Sequence, residues 1–222
     1  MTYREIINSV LRRLREDTID SDWSGDLVGS TGPTDYQVMI GDFVNEVKRE
    51  VEDAWDWTSL RRTETVATVS GTRTYNLPST TQRTRIISVQ EQGKGGNLSL
   101  VPYDWIKRMR YPTEVSSIPS HFSIVGTSSG LLTTQLYPKA DAVYSVDFHL
   151  IDPQDNLTAA TTALIAPEYP IILGVWARAI AERGEDGGAL SDMAQLQYSQ
   201  ALADSISQDA GRHTSEVTWN AV

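Results

Sequence analysis

The chain has 222 residues, 40% of them apolar, and a formal net charge of −10. That is enough apolar content for one substantial core or two small ones, while the acidity argues against a nucleic-acid clamp, which is usually basic. The lack of cysteine excludes disulfides, thiolate nucleophiles and cysteine metal sites; no run of 18 apolar residues predicts a membrane span, and the first 17 residues lack the apolar segment of a secretory signal.

The first segment predicts an amphipathic helix, with Tyr3, Ile6, Ile7, Val10, Leu11 and Leu14 on one stripe. Thr2 and Glu5 have the form of a capping box that starts it. Residues 18–34 hold three glycines and a proline and read as a loop, with Trp23 as its one large apolar anchor. A second capping box, Thr34 with Gln37, opens a second helix. Its stripe runs Tyr36, Ile40, Phe43, Val44, Val47, Val51, Ala54 and Trp55, and its opposite, solvated face carries Glu46, Lys48, Arg49, Glu52, Asp53 and Asp56.

At "DAWDWTSLRR" the pattern changes. From Thr58 the period is 2, and runs such as "TETVATV", "TRTYNLP" and "RTRIISVQ" are rich in threonine and valine. "GKGGN" at 93–97 reads as a hairpin turn, and "VPYDWIKRMRYP" as a short helix between prolines. The clearest strand lies at 142–150, where Ala142, Tyr144, Val146, Phe148 and Leu150 alternate with Val143, Ser145, Asp147 and His149. About seven short strands predict a small antiparallel sandwich or barrel.

After the polar connector around 152–167, Ile171 to Ala181 holds a single charge, Arg178, and predicts a helix buried on most sides, stopped at Gly184. A fourth helix carries a weaker stripe: Leu190, Met193, Ala194, Tyr198, Ala201 and Leu202. The expected fold is therefore α+β: a four-helix bundle from the N- and C-terminal helices (1–57 and 152–209), an inserted antiparallel β-sandwich or barrel domain (58–151), and an extended C-terminal tail (210–222). Charge follows the same division: residues 1–57 and 152–222 each carry a net −7, and residues 58–151 a net +4.

The sequence offers no positive sign of catalysis. "GKGG" lacks the spacing of a phosphate-binding loop, the three histidines are far apart, and no pattern of zinc, calcium or nucleophile-elbow type occurs. No catalytic residue, metal ligand or cofactor is expected. A carbohydrate-active hydrolase would need two acids facing each other across a cleft, and the acids of the β block are scattered. One basic-aromatic cluster, Trp105, Lys107, Arg108, Arg110 and Tyr111, could contact phosphate; a subunit contact or solvated surface is the preferred reading. Trp219 in the tail, with His213 and Val217 beside it, is a candidate anchor for a partner's pocket. Trp55 and Trp57 read as a structural joint: Trp55 in the bundle, Trp57 at the base of the β insert.

The layout of an "INSVLRRL" helix, a helix ending "DAWDWTSLRR", then "TYNLP", a strand-rich middle with "QLYP" and a late "LGVWARAIAERG" helix resembles the head-to-tail adaptor (connector or head-completion) proteins of tailed bacteriophages. The resemblance implies a structural virion protein at the head–tail junction, assembled in the host cytoplasm. It implies a homo-oligomeric ring, typically a dodecamer, that binds the portal, extends the DNA channel and docks the tail nozzle or tail tube. Double-stranded DNA would pass through without specific binding. It supplies no catalytic residues. A tail terminator or nozzle component is the alternative within virion proteins; a hydrolase or nucleic-acid-binding module is the alternative outside them.

Overall fold

A computed structural model describes residues 1–25, 27, 33–93, 96–111, 113–184 and 188–212. Its elements run α1 (Tyr3–Leu14), α2 (Asp35–Ala54), a 3-10 turn (Thr58–Leu60), β1 (Arg61–Ala67), β2 (Thr74–Asn76), β3 (Arg85–Glu91), β4 (Gly96–Asn97), β5 (Ser99–Leu100), α3 (Tyr103–Met109), β6 (His121–Ser128), β7 (Leu131–Tyr137), β8 (Ser145–Ile151), α4 (Glu168–Arg183) and α5 (Ala189–Ala210). The chain divides into a helical unit, residues 1–59 with the chain from 154 onward, and a β unit, residues 60–153.

Both capping boxes of the helical unit form. Thr2 Oγ1 accepts from the Glu5 amide at 3.4 Å while Glu5 Oε2 accepts from the Thr2 amide at 2.8 Å. Thr34 and Gln37 make the same exchange at 3.3 and 2.9 Å. Each box satisfies two of the amides a helix start leaves orphaned. Gly184 caps α4 in the left-handed region, as expected of the stop. The stripes of α1 (Ile6, Ile7, Val10, Leu11) and α2 (Ile40, Val44, Val47, Val51) are buried, and α4 is buried on most sides.

Helix contacts run α1–α2, α1–α4, α2–α4 and α4–α5, so α4 touches each of the other three. Two glycines allow the approach. A Cβ at Gly41 would meet Leu27 and the Tyr3 hydroxyl within 2.6 Å; one at Gly174 would meet Val47 at 2.7 Å and the Tyr198 ring at 3.1 Å. The stripe expected on α5 is corrected: Ala194, Tyr198 and Ala201 are buried, but Leu190 and Met193 are exposed, because α5 packs on α4 through small residues and one tyrosine.

Of the expected sandwich or barrel, the barrel does not form. The β unit contains two separate four-stranded sheets, ordered β1-β8-β3-β4 and β2-β7-β6-β5. The pairing is also mixed rather than wholly antiparallel, since β5 runs parallel to β6. Both sheets face one core: Tyr75, Leu77, Leu132 and Leu136 from one side meet Val89, Val146, Phe148 and Leu150 from the other. The alternation read at 142–150 places Val146, Phe148 and Leu150 inward, although the strand begins at Ser145. Bulges at Ile87 and Val125 interrupt the β3–β8 and β6–β7 ladders and leave each extra side chain more than 40% exposed.

Candidate functional site

The basic-aromatic cluster lies on α3 and just beyond it, in the β unit. Trp105 is half-buried and packs on the ring of His121 at 4.9 Å and edge-on to Tyr137 at 5.5 Å. The Tyr137 hydroxyl donates to the carbonyl of Met109 at 3.3 Å, which ties the end of α3 to β7. Trp105 is therefore the bolt that fixes α3 to its sheet. Its cationic neighbours point outward. Lys107 lies over the Tyr103 ring at 4.3 Å and 3.8 Å from Asp104, and the Arg108 Nε donates to the Asp104 carbonyl. Burial, and secondarily the charge of Arg110, lowers the pKa of Arg73, whose guanidinium pairs with Glu114. Glu114 also accepts from Lys139 at 3.4 Å, so one carboxylate neutralises two cations there. Local pairing consumes part of the cluster's charge, and a sequence count of lysines and arginines does not reveal it.

The tail candidates His213, Val217 and Trp219 lie outside the described residues. Trp23, the other loop tryptophan, folds back on its own unit. It is 8% exposed, packs edge-on to Tyr3 at 5.8 Å, and its Nε1 donates to the Thr158 carbonyl at 2.7 Å.

The tryptophan pair at the end of α2 is resolved in detail. The helix stops at Ala54, and Trp55 is its C-cap in extended geometry, half-buried, with Nε1 donating to Asp209 Oδ2 at 3.1 Å. The same carboxylate oxygen accepts from the Thr58 amide at 3.0 Å. Trp57 is 1% exposed, the largest fully buried side chain among the described residues, and its Nε1 donates to the Val51 carbonyl at 2.6 Å. Val51 belongs to the last turn of α2, where carbonyls lack intrahelical partners. Trp57 thus closes α2 with an indole N–H, and Asp209 ties the following turn to the end of α5.

Sequence periodicity misses the polar spine of the helical unit. Lys48 and Glu52, expected on a solvated face, are both fully buried and form an ion pair at 3.1 Å. Lys48 Nζ also donates to the Gln154 carbonyl at 2.5 Å, and Glu52 Oε1 accepts from the Gln154 amide at 3.2 Å. One turn earlier, Asn45 accepts from the Leu157 amide at 2.7 Å and donates to the Leu157 carbonyl at 3.0 Å. Three polar side chains of α2 therefore do what a neighbouring strand would do: they satisfy the backbone of the connector at 154–157. A buried charge pair is tolerated because these additional hydrogen bonds fill its remaining valences.

Two of the surface hollows among the described residues of the helical unit are lined in part by arginines. One, about 550 Å³, is lined by Arg13, Arg15, Trp176, Ile180, Arg183 and Leu190 among others. Arg13 stacks on Trp176 at 5.8 Å, and Arg183 stacks on Tyr36 at 4.9 Å and pairs with Glu16. The other, about 530 Å³, lies along α2 beside Asp42, Glu46 and Glu50, where Arg178 bridges the two glutamates. Among the described residues no group of three or more His, Cys, Asp or Glu side chains is placed to hold a metal ion. Among them, too, no helix is long and apolar enough to cross a membrane.

What the geometry presents is a densely hydrogen-bonded structure with charged and apolar surface hollows. No curated relative matches the chain. The family model of the SU10 adaptor protein matches residues 1–220. The chain therefore belongs to the SU10 adaptor protein family, in agreement with its resemblance to the head-to-tail adaptors of tailed phages.

Proposed function

We propose that this protein is a non-enzymatic structural component of a tailed-phage virion that forms a ring beneath the portal, extends the DNA channel and docks the tail nozzle or tail tube. The observation that carries this reading is the family match over nearly the whole chain. Ring size twelve follows the phage adaptors that the chain resembles. The charge supports a conduit: a net of −10 per copy repels phosphate, so double-stranded DNA slides past without specific binding. The helical unit would be the ring's rigid body, its helices bundled about α4, with the β unit as an added domain. The segment holding His213, Val217 and Trp219 would reach a pocket on the portal, and Lys107, Arg108 and Arg110 would face a neighbouring subunit or the tail.

Electron microscopy of the purified protein with and without portal tests this. A ring on the portal is the expected result; failure to form any ring or to bind portal at high protein concentration would remove the reading. Deleting Gly211–Val222 should weaken docking and leave the fold intact, and a truncated chain that docks normally would refute the tail anchor.

A further inference from the structure

The helical unit carries its charge unevenly. Residues 1–57 and 152–222 hold nine cations against 23 acids. Four of those nine, Arg12, Arg13, Arg15 and Arg183, sit at the C-terminal ends of α1 and α4 beside Glu16, Asp17 and Glu182, and three of the four line one groove. There the 550 Å³ groove has an apolar floor, with Trp176 and Ile180, between arginine rims. Glu16 pairs with Arg183, but neither Arg13 nor Arg15 forms an ion pair among the described residues. The floor continues onto α5 as an exposed row: Leu190, Met193 and Leu196 are 40%, 45% and 72% exposed. Apolar side chains in such a row, rimmed by cations, mark an interaction surface.

The complement is on the same unit. Asp35, Asp42, Glu46, Arg49, Glu50 and Asp53 are exposed along α2. At about 100° per residue they fall within a stripe about 100° wide and about 27 Å long, with five carboxylates to one arginine. Met39 and Phe43 stand half-buried on its shoulder. The two surfaces leave the central helix on opposite sides: Arg178, which pairs with Glu46 and Glu50, is about 200° around α4 from Trp176. Complementary patches on opposite flanks of one rigid body are what a head-to-tail contact between identical copies requires; repetition closes a ring or runs on as a filament.

We infer that the groove of Arg13, Arg15 and Trp176 receives the acidic α2 ridge of a second copy of this chain. The inference rests on the ring proposed above and names the surface that builds it. Opposite charges at the rim set register and speed encounter, and the Leu190–Leu196 row covers the apolar shoulder of the incoming helix.

The test uses two full-length variants. Arg13→Glu/Arg15→Glu disables the groove, and Asp42→Lys/Glu46→Lys disables the ridge. All these positions are exposed, so both variants should keep the wild-type circular dichroism and melting temperature. Should the arginine variant misfold, Leu196→Glu takes its place. Mass photometry follows assembly against concentration, alone and on purified portal. Each variant alone should need at least about tenfold more protein to assemble than wild type. Mixed one to one, they should regain assembly, since the intact groove meets the intact ridge and the two reversed surfaces again carry opposite charges; a mixture no better than either variant alone would overturn the pairing. A groove variant that assembles like wild type overturns the surface and leaves the ring standing. A groove variant that assembles normally but no longer binds portal assigns the groove to another partner and likewise overturns the inference. Wild-type protein that never assembles, even on portal, removes the ring and this surface together.

Discussion

Lys48 and Glu52 stand one helical turn apart on α2, 3.1 Å from each other and fully buried, and between them they hold both backbone groups of Gln154. Removing one partner leaves the other charged and uncompensated. Lys48→Met should therefore destabilise the helical unit by about 3–5 kcal/mol. Lys48→Met with Glu52→Leu should cost less than the sum of the two single changes, because no charge is stranded. It should not return to wild type, since the Gln154 amide and carbonyl lose their partners. Urea denaturation of the four proteins gives the coupling directly, and additive single changes would contradict the pairing.

Gly174 is a second sensitive point. Alanine there gains about 1 kcal/mol of helix propensity over glycine. Its methyl, however, would stand 2.7 Å from Val47 and 3.1 Å from the Tyr198 ring, both in packed elements. Overpacking of this kind costs about 1–3 kcal/mol. Gly174→Ala should lower the melting temperature despite the propensity gain, and Gly174→Val should lower it further. A rise in melting temperature for Gly174→Ala would show that Val47 on α2 and Tyr198 on α5 both yield easily.

Trp57 tests the end of α2. Truncation to alanine removes a fully buried indole and should cost about 3–5 kcal/mol in the helical unit. Trp57→Phe keeps most of the ring but orphans the Val51 carbonyl, a loss of about 1–3 kcal/mol. Thermal melts followed in the far ultraviolet at 222 nm should record both losses in the helical signal. A Trp57→Phe variant as stable as wild type would show that the indole hydrogen bond contributes nothing.

The β unit has its own pH response. Asp147 accepts from the Thr65 hydroxyl at 2.6 Å and from Gln92 at 2.9 and 3.0 Å, and these bonds hold its carboxyl below the ordinary 3.8. A carboxylate with a depressed folded-state pKa stabilises the fold above its unfolded pKa, and that contribution is lost as pH falls through the folded value. Asp147→Asn should thus cost stability at pH 6. The gap to wild type should narrow as pH falls below the ordinary carboxylate range and the wild-type carboxylate protonates. Melting temperatures of both proteins over that fall in pH would check it, and a constant gap would exclude the carboxylate as its cause.

Local chemistry carries the parts of this protein that were legible in its residues. Thr2 with Glu5 and Thr34 with Gln37 mark helix starts because a capping box is made within four residues. Gly184 marks a stop, and Val146, Phe148 and Leu150 mark an inward strand face, because period 2 maps directly to one side of a sheet. The family resemblance was legible as well, because it lies in the order of such elements along the chain.

Long-range partners decided the rest. Lys48 and Glu52 read as solvated because their helical face says so; only the return of Gln154 to α2, 106 residues after Lys48, covers them and makes charge tolerable there. Barrel and sandwich share the same alternation, and which strands pair, β1 with β8 rather than with β2, depends on register across the whole unit. The groove at Arg13, Trp176 and Leu190 draws on α1 and, more than 160 residues later, on α4 and α5. By itself the sequence determined the elements, their caps and the acidic balance, which arise from neighbours within a turn or two. The tertiary structure decided which charges are buried and which surfaces are left to meet a partner, because desolvation depends on what chain closure brings alongside.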